Sequence, residues 1–356
     1  MKKRIGLLTA GGDCPGLNAA IRGVVRAAYH LFDAEIIGIR EGFRGLIEGD
    51  YHPMEESQFS NILTRGGTIL GTSRTPFSQM RTTDDGTDKV AEMKRNYKAM
   101  RLDCLVTLGG NGTHKTANLL SQEGLNVIGL PKTIDNDIAG TDFTFGFHTA
   151  VEIATDVVDR IHTTAASHGR CMVIELMGNK SGWLTLYAGL AGGADVILLP
   201  EIPYDLDKVA EVVETRANLR KSFSIIAVAE GAMDKNEGSM KKKERESART
   251  QSVYTSISQR IAAQLQEKCG VETRTVVPGY IQRGGTPCAY DRVLSTQFGV
   301  HAAQLIRDDI YGVTVGVDGR KIIHNKLSDV AGVSKAVQLD GPMVQSAMDI
   351  NISFGI

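Results

Sequence analysis

Cysteine is scarce in this sequence. The five that occur are scattered, odd in number and never arranged as CxxC. A framework of structural disulfides is therefore not expected, and the pattern favours a reduced, cytoplasmic protein.

An excess of charge of either sign is also missing, since 40 basic residues face 41 acidic ones. Without a basic field, neither nucleic acid nor an anionic membrane is expected as a partner. No apolar run is long enough to span a bilayer. The apolar stretch after the N-terminal MKKR is too short for a signal peptide, because it meets a glycine-rich turn.

Short apolar runs alternate with amphipathic segments along a chain of 356 residues, which is long enough for two domains. This alternation predicts an α/β fold with two parallel sheets, each covered by helices on both faces. The predicted strands are 4–10, 34–39, 104–108, 126–131, 171–176, 194–200 and 223–230. The predicted helices include 18–31, 89–100, 113–123 and 149–164.

The segment 234–251 interrupts this pattern with dense charge and few large apolar residues. We expect a solvated surface helix or loop there, and an interaction arm is the alternative.

Three strands of the first half end in polar or glycine-rich stretches. TAGGDCPGLNAA spans 9–20, TLGGNGTHKTA spans 107–117 and TIDND spans 133–137. Ligands bind beyond the carboxyl ends of strands in open α/β sheets, and glycines with a helix N-terminus suit a phosphate. The first glycine turn is not a Walker A sequence, because no GK[ST] follows. Thr113 is the expected cap of the helix after the second turn.

Two carboxylates, Asp135 and Asp137, follow the third strand closely. Buried carboxylates need partners, and a divalent cation with a phosphate would supply them. One carboxylate could bind Mg²⁺ while the other takes a proton from an attacking hydroxyl. A plain Asp-rich turn is the alternative interpretation.

Arginines and polar residues at strand ends of the second half suggest a second phosphorylated ligand, because the guanidinium fork suits phosphate oxygens. These candidates are Arg170, Met177, Gly178, Glu230, Arg274, Tyr280 and Arg283.

At this point the sequence resembles the 6-phosphofructokinase family over nearly its whole length. The matching motifs, in the family's order, include LTAGGDCPGLNAAIRGVVR, GGTILGTSRTPF, LGGNGTHKTA, LPKTIDNDI, VIELMGNKSGWLTL and GYIQRGGTPCAYDR. The resemblance implies transfer of a phosphoryl group to the 1-hydroxyl of fructose 6-phosphate, with Mg²⁺ as cofactor.

The family's fold implies two doubly wound parallel-sheet domains of the α/β class, with the active site in the cleft between them. The donor (ATP) domain would comprise 1–146 and about 282–330, and the fructose 6-phosphate domain 147–281 and about 331–356. Active sites shared between subunits imply a homo-oligomer, a tetramer or a dimer.

The family's functional residues carry over to matching positions of this sequence. The resemblance assigns catalysis to Asp135 as base, with Thr133 and Lys132. It assigns the ATP site to Gly12, Arg74, Thr75, Gly110, Asn111, Gly112 and Thr113. It assigns the sugar-phosphate site to Thr133, Ile134, Asp135, Arg170, Met177, Gly178, Asn179, Glu230, Arg274, Tyr280, Ile281, Gln282 and Arg283. Asn111 and Asp137 are the implied metal contacts, and Arg170 and Arg274 would reach the site of a neighbouring subunit.

Two positions bear on the phosphoryl donor. Lys132 is typical of pyrophosphate-using members and of a mixed group, where glycine is found in the most studied bacterial members. Pyrophosphate users usually pair this lysine with an Asp at the position of Gly112, where it would repel the α-phosphate of ATP. Gly112 leaves room for a nucleotide, so we expect ATP as donor, with pyrophosphate as the alternative.

Other positions depart from the family's pattern. Asn111 replaces an acidic residue, Asn179 an arginine and Tyr280 a histidine. Lys180 and Lys132 are the candidates to supply the charge that Asn179 lacks. The bacterial effector site is matched by Arg22, Arg26, Asp195 and Lys221, whereas His162 and Leu219 stand where basic residues are frequent. Arg22 and Arg26 could equally belong to an exposed helix face.

Two other classes of protein remain open. LGGNGT resembles the turn of nicotinamide and lipid kinases, but such kinases offer no place for PKTIDND or GYIQRGG. A non-catalytic phosphosugar-binding regulator would keep the arginines but could lose Asp135, which this chain retains.

Overall fold

A computed structural model describes residues 2–81, 86, 88–219 and 223–356. Its strands are β1 (Lys3–Ala10), β2 (Ala34–Ile39), β3 (Tyr51–Met54), β4 (Cys104–Gly109), β5 (Val127–Pro131), β6 (Cys171–Leu176), β7 (Val196–Leu198), β8 (Ser224–Ala229), β9 (Thr273–Val276), β10 (Val313–Asp318) and β11 (Lys321–Lys326). The helices are α1 (Leu17–Leu31), α2 (Phe43–Glu48), α3 (Lys89–Ala99), α4 (Asn111–Gln122), α5 (Phe147–His168), α6 (Trp183–Ala191), α7 (Leu206–Asn218), α8 (Lys235–Ser239), α9 (Lys242–Gln251), α10 (Ile257–Cys269), α11 (Ala289–Arg307), α12 (Leu327–Val330) and α13 (Pro342–Asp349).

The chain divides into two compact units. The first comprises Met1–Thr149 and Arg283–Lys335, and the second comprises Ala150–Gln282 and Ala336–Ile356. Both units are thus built from two separate stretches of chain. The assignment of one substrate to each unit remains a prediction.

The sheet of the first unit has the order β11-β10-β5-β4-β1-β2-β3 among the described residues. Its five central strands are parallel, but β3 and β11 run antiparallel at the two edges. The prediction of a doubly wound α/β fold with a parallel sheet is confirmed for the five central strands, and antiparallel strands extend the sheet at both edges. β11 follows β10 after only residues 319 and 320, so the chain reverses there without a crossover helix.

Pairing register aligns three strand ends in this sheet. Ala10 at the end of β1 pairs with Gly109 at the end of β4, and Gly109 pairs with Pro131 at the end of β5. The central strands are almost wholly buried, as expected of strands covered on both faces. The three polar stretches singled out in the sequence therefore leave the sheet side by side.

The sheet of the second unit is parallel throughout, in the order β7-β8-β6-β9. Leu176 at the end of β6 pairs with Ala229 at the end of β8. Met177 and Glu230, which follow these two residues, consequently leave the sheet at the same edge.

Several element boundaries differ from the sequence prediction. Helix α4 begins at Asn111 rather than at 113, and α5 extends from Phe147 to His168 rather than over 149–164. The segment 234–251 forms α8 and α9, yet it is not wholly solvated, because Glu237 is buried. Among the helices of the described residues, none is long and apolar enough to cross a membrane.

Candidate active site

A cavity of about 350 Å³ opens in the first unit where β1, β4 and β5 end. Its volume suits a small phosphorylated ligand. The predicted residues that line it are Gly12, Arg74, Thr75, Gly110, Asn111, Gly112, Thr113, Lys132, Thr133, Asp135, Asp137 and Arg283. The lining also includes residues that the prediction did not assign, namely Ala10, Gly11, Phe43, Ser73, Pro76 and Phe77.

In the turn after β1, hydrogen bonds hold the backbone of Gly11, and a neighbouring side chain packs against Gly12. The Gly11 amide donates to Ser73 O (3.0 Å), and Thr72 Oγ1 donates to Gly11 O (2.7 Å). A β-carbon at Gly12 would lie 2.9 Å from a terminal nitrogen of Arg283, so a larger residue here would displace the end of that side chain. Glycine at such a turn lets the backbone N–H groups approach a phosphate closely.

Arg283 lines this same cavity. One of its terminal nitrogens donates to Asp13 O (3.2 Å), whereas its Nε is buried without a hydrogen-bond partner in the described part of the chain. Buried donors are nearly always paired in folded proteins, and a guanidinium donor suits a phosphate oxygen. The resemblance places Arg283 in the sugar-phosphate group, and the structure places it beside Gly12.

The turn after β4 leads directly into helix α4. Gly110 precedes the helix with no side-chain cap, and Thr113 is its third residue, so the expectation that Thr113 caps it is wrong. Thr113 instead folds back over Gly109, where an added β-carbon would overlap with Thr113 Oγ1. The first N–H groups of an α-helix lack intrahelical partners, and with no side-chain cap they suit a phosphate oxygen.

Residue 114 anchors this helix in the core. His114 is almost fully buried, with Nδ1 3.0 Å from Gly110 O and Nε2 2.8 Å from Thr314 Oγ1. Burial lowers the pKa of His114 to about 4, so the ring is neutral near pH 7. The helix start is thus held in place by a side chain behind the cavity wall.

Several hydrogen bonds stabilise the turn after β5. Thr133 Oγ1 accepts from the Asp135 amide (3.0 Å), and Asn136 has the left-handed φ of 49°. Asn136 also accepts from the Thr144 amide and donates to Asp142 O. Asn tolerates this backbone conformation better than most residues. Asp135 and Asp137 both line the cavity, and these hydrogen bonds hold the turn that carries them.

Lys132 links the third turn to the first. Its Nζ donates to Gly12 O, its amide donates to Gly109 O (3.0 Å), and its side chain is buried. Burial lowers the pKa of Lys132 from its usual value. The lysine therefore ties together the ends of β1, β4 and β5 beneath the cavity.

The side chains near Asp135 and Asp137 are compatible with Mg²⁺. The described residues contain no group of three or more His, Cys, Asp or Glu suited to a metal ion. Mg²⁺, however, commonly takes one or two carboxylates and completes its shell with phosphates and water. Two carboxylates in one phosphate-sized cavity fit that mode of binding.

The side chain of Asn111, the other predicted metal contact, is hydrogen-bonded to residues 332–334. Its Oδ1 accepts from the Gly332 amide (2.8 Å), and its Nδ2 donates to Val333 O and Ser334 Oγ (both 3.2 Å). A metal contact through Oδ1 would share this oxygen with Gly332. The contact therefore also has a positioning effect, since it fixes the start of α4.

The same segment also holds the carboxylate turn. The Lys335 amide donates to Asp137 O (2.9 Å), and Lys335 Nζ donates to Thr141 O (2.9 Å) and Asp142 O (2.6 Å). Burial lowers the pKa of Lys335 to about 8. Sequence reasoning missed this segment because nothing in its composition indicates that it lies between two turns far away along the chain.

In the second unit, part of the predicted sugar-phosphate group gathers at the carboxyl edge of the sheet. Gln282 is buried and accepts from the Met177 amide (3.1 Å), and Gly178 O accepts from Gly231 N (3.2 Å). Asn179 and Glu230 line a cavity of about 250 Å³. The other residues around this cavity are Glu175, Arg249, Ser252, Tyr254, Thr255, Ser256, Ile257 and Arg260.

Arg170 and Arg274 lie at the amino ends of the strands of that sheet, opposite the carboxyl ends that Met177 and Glu230 follow. Both pair with Glu272, at 3.0 Å and 2.6 Å. Arg170 precedes β6 and Glu230 follows β8, so the six residues of β6 separate them. At a rise of 3.3 Å per residue that distance is about 20 Å. The structure thus does not bring these arginines to the Asn179–Glu230 cavity of their own chain.

The remaining predicted sugar-phosphate residues differ in exposure. Tyr280 and Ile281 are exposed, whereas Ile134 is fully buried and does not line the cavity of the first unit.

The predicted effector residues are only partly described. Lys221 lies outside the described residues. Asp195 binds Arg216 (2.7 Å) and the Ile225 amide (2.9 Å), and His162 Nε2 lies 2.6 Å from Gly192 O. Arg22 is half-buried and Arg26 is exposed on α1. Asp195 is thus already neutralised by an arginine that the prediction did not assign.

Aligned strand ends, two glycine turns and a carboxylate pair are typical of α/β proteins of the doubly wound class that bind phosphorylated ligands. The chain belongs to the phosphofructokinase family, whose model, described as phosphofructokinase, matches residues 4–306.

Similar proteins cover the chain almost completely. It is 53% identical to a protein from Spirochaeta thermophila named ATP-dependent 6-phosphofructokinase, over 99% of this chain and 98% of that one. It is also 45% identical to the pyrophosphate–fructose 6-phosphate 1-phosphotransferase of Amycolatopsis methanolica, over 94% and 96%. Phosphofructokinase from Saccharomyces cerevisiae superposes with a TM-score of 0.80 at 30% identity, over 99% of this chain and 48% of the yeast chain.

Proposed function

We propose that this protein is an ATP-dependent 6-phosphofructokinase. It transfers a phosphoryl group from MgATP to the 1-hydroxyl of fructose 6-phosphate, giving fructose 1,6-bisphosphate and ADP in glycolysis. The carrying observation is the register of Ala10, Gly109 and Pro131, which gathers both glycine turns and the Asp135 turn around one cavity. A cytoplasmic location agrees with the five free cysteines.

The donor's phosphates would bind at the turns after β1 and β4. Gly12 allows close backbone approach, the start of α4 offers N–H groups, and Arg283 offers a buried donor without a partner in the described chain. Such an arrangement stabilises the negative charge that spreads over a transferring phosphoryl group. Arg74 and Thr75 complete the proposed donor site.

Asp135 acts as the base that accepts the proton of the sugar hydroxyl, and Thr133 holds the turn by accepting from its amide. Asp137, with Asn111 beside it, would hold the magnesium ion. When bound, Mg²⁺ neutralises charge on the donor's phosphates.

The sugar phosphate would bind through the residues at the carboxyl edge of the second sheet, with Arg170 and Arg274 supplied by a neighbouring subunit. Their position about 20 Å from Glu230 in the same chain supports this assignment. We therefore propose a homo-oligomer with shared active sites, a tetramer or a dimer.

Pyrophosphate is the second candidate donor, favoured by Lys132 and by the Amycolatopsis relative. Gly112 argues for ATP. A β-carbon at Gly112 would meet no atom within 4 Å, so the space beside the start of α4 is open to a nucleotide. An excluding group rejects a ligand more effectively than one added attraction selects it.

A coupled assay with matched, saturating magnesium tests the proposal. Fructose 6-phosphate should be phosphorylated with ATP and poorly or not at all with pyrophosphate. NAD and diacylglycerol serve as control acceptors for the kinases with a similar glycine turn. Activity on either control acceptor without activity on fructose 6-phosphate would refute the assignment.

A further inference from the structure

Helix α9 lies on the surface of the second unit with none of its residues buried. An amphipathic helix is normally held by an apolar face, and α9 has no such face to bury. Polar contacts must therefore decide where this helix sits.

The principal polar contact of α9 is with Glu237, which lies on the preceding short helix and is buried. Arg249 Nε donates to Glu237 Oε1 (2.8 Å), and Arg249 NH2 donates to Glu237 Oε2 (3.0 Å) and Ala232 O (2.6 Å). Arg260 NH2 donates to the same Oε2 (2.6 Å). One carboxylate thus bridges two arginines, with two-point bonding to the arginine of α9.

This carboxylate stays ionised under assay conditions. Burial alone would raise the pKa of Glu237, but hydrogen bonds from Arg260 and Arg249 outweigh it and lower the pKa to about 2. The bridge is therefore constant across the neutral pH range.

The bridge positions one wall of the cavity that contains Asn179 and Glu230. Arg249 and Arg260 both line that cavity, as does Tyr254, which follows α9. Glu175 and Glu230 lie on other parts of the lining. A wall bearing two arginines suits an anionic ligand, and its position depends on Glu237 because α9 buries no apolar surface.

We propose that Glu237 is a positioning residue of the phosphosugar site, and that it acts by holding Arg249 and helix α9 against the cavity of Asn179 and Glu230. The inference rests on the proposed function, since it assigns this cavity to fructose 6-phosphate. Glu237 is not expected to contact the substrate.

The test compares Glu237→Gln, Arg249→Ala, Arg249→Lys and the double variant Glu237→Gln/Arg249→Ala. Each of the first two should raise KM for fructose 6-phosphate by roughly tenfold, because a charge-assisted bond that holds the wall is lost. KM for ATP should change less than twofold. The double variant should be no worse than the more impaired single variant, because each single change already breaks the bond between Glu237 and Arg249.

Arg249→Lys keeps the charge but loses the two-point bond, so it should lie between wild type and Arg249→Ala. Lys243→Ala is the matched control, because Lys243 is exposed on the same helix. It should leave both KM values unchanged.

Calorimetry with fructose 6-phosphate keeps this proposal separate from the proposed function. A wild type that binds fructose 6-phosphate but does not phosphorylate it would refute the function alone. An unchanged dissociation constant in folded Arg249→Ala would overturn the role of Glu237 alone. If Glu237→Gln fails to fold, Arg249→Ala decides, since Glu237 there keeps Arg260 as its partner. A wild type that does not bind fructose 6-phosphate would overturn both.

Discussion

Replacing Gly112 with aspartate should raise the stability of the fold but lower kcat/KM for ATP. Gly112 is the second residue of α4, and the space where its β-carbon would lie contains no atom within 4 Å. An aspartate can therefore be accommodated without moving the core. In the first turn of a helix its charge is also favourable to the helix.

The two effects differ in sign and in size. Removing glycine from a helix and adding a carboxylate near its N-terminus should stabilise the fold by about 0.5–1.5 kcal/mol. The same carboxylate, at about 5 Å from a donor phosphate and with an effective dielectric constant of about 20, costs on the order of 3 kcal/mol. That cost corresponds to a loss on the order of 10²-fold in kcat/KM for ATP.

The assay measures kcat/KM with MgATP together with the thermal midpoint of unfolding. Gly112→Asn is the matched control, since it adds nearly the same volume without charge, and it should keep most of its activity with ATP. Gly112→Asp is also the variant in which we expect activity with pyrophosphate to emerge, because Lys132 already lines the cavity. The reasoning is refuted if folded Gly112→Asp uses ATP within threefold of wild type.

Mixing inactive Asp135→Asn subunits with inactive Arg170→Ala subunits should restore part of the activity, because some hybrid sites would contain both functional residues; no recovery in demonstrated hybrids would contradict shared sites. The pKa of His114 is about 4 in the folded protein and about 6.5 in the unfolded chain, so the unfolded chain binds the proton first as the pH falls. The free energy of unfolding should therefore decrease by about 3 kcal/mol between pH 6.5 and pH 4. Urea unfolding of wild type and His114→Gln across that range measures this difference, and parallel curves would contradict it. Lys132→Met should lower kcat/KM with ATP by roughly tenfold or more, because Gly12 O loses a buried donor. Unchanged kinetics in folded Lys132→Met would show that this contact does not hold the donor turn.

The positions of the strand ends could be predicted from the sequence because each buried run stops at a residue of different character. β4 ends at Gly109, the first of two glycines, and β6 matches its apolar run CMVIEL from Cys171 to Leu176. Apolar content and turn residues are local signals, so strand ends are visible without tertiary information.

The edge strands and the start of α4 were not predictable in this way. β11 is half-exposed along its length, so its apolar signal is weak. Threonine is a preferred helix cap, yet the residue that precedes α4 is Gly110, three positions before Thr113, and the first N–H groups remain without a side-chain cap. Local preference was overridden there by a turn that suits a phosphate.

The bridge at Glu237 could not be found from composition. Glu237 and Arg249 lie twelve residues apart in a charge-dense segment, which is usually solvated. Only the packing of α8 beside Arg260 buries the carboxylate and selects its partners. Pairings of this kind depend on tertiary contacts that charge patterning alone does not specify.

The central claim is that Asp135 is the base for phosphoryl transfer in the cavity formed by the first unit. Turnover and substrate binding should be measured together in Asp135→Asn, with coupled assays and calorimetry on the same preparation. Loss of a general base costs on the order of 10²- to 10⁴-fold in rate, so turnover should fall by that factor while affinity for fructose 6-phosphate and MgATP changes little. Turnover near that of wild type in folded Asp135→Asn would contradict the account.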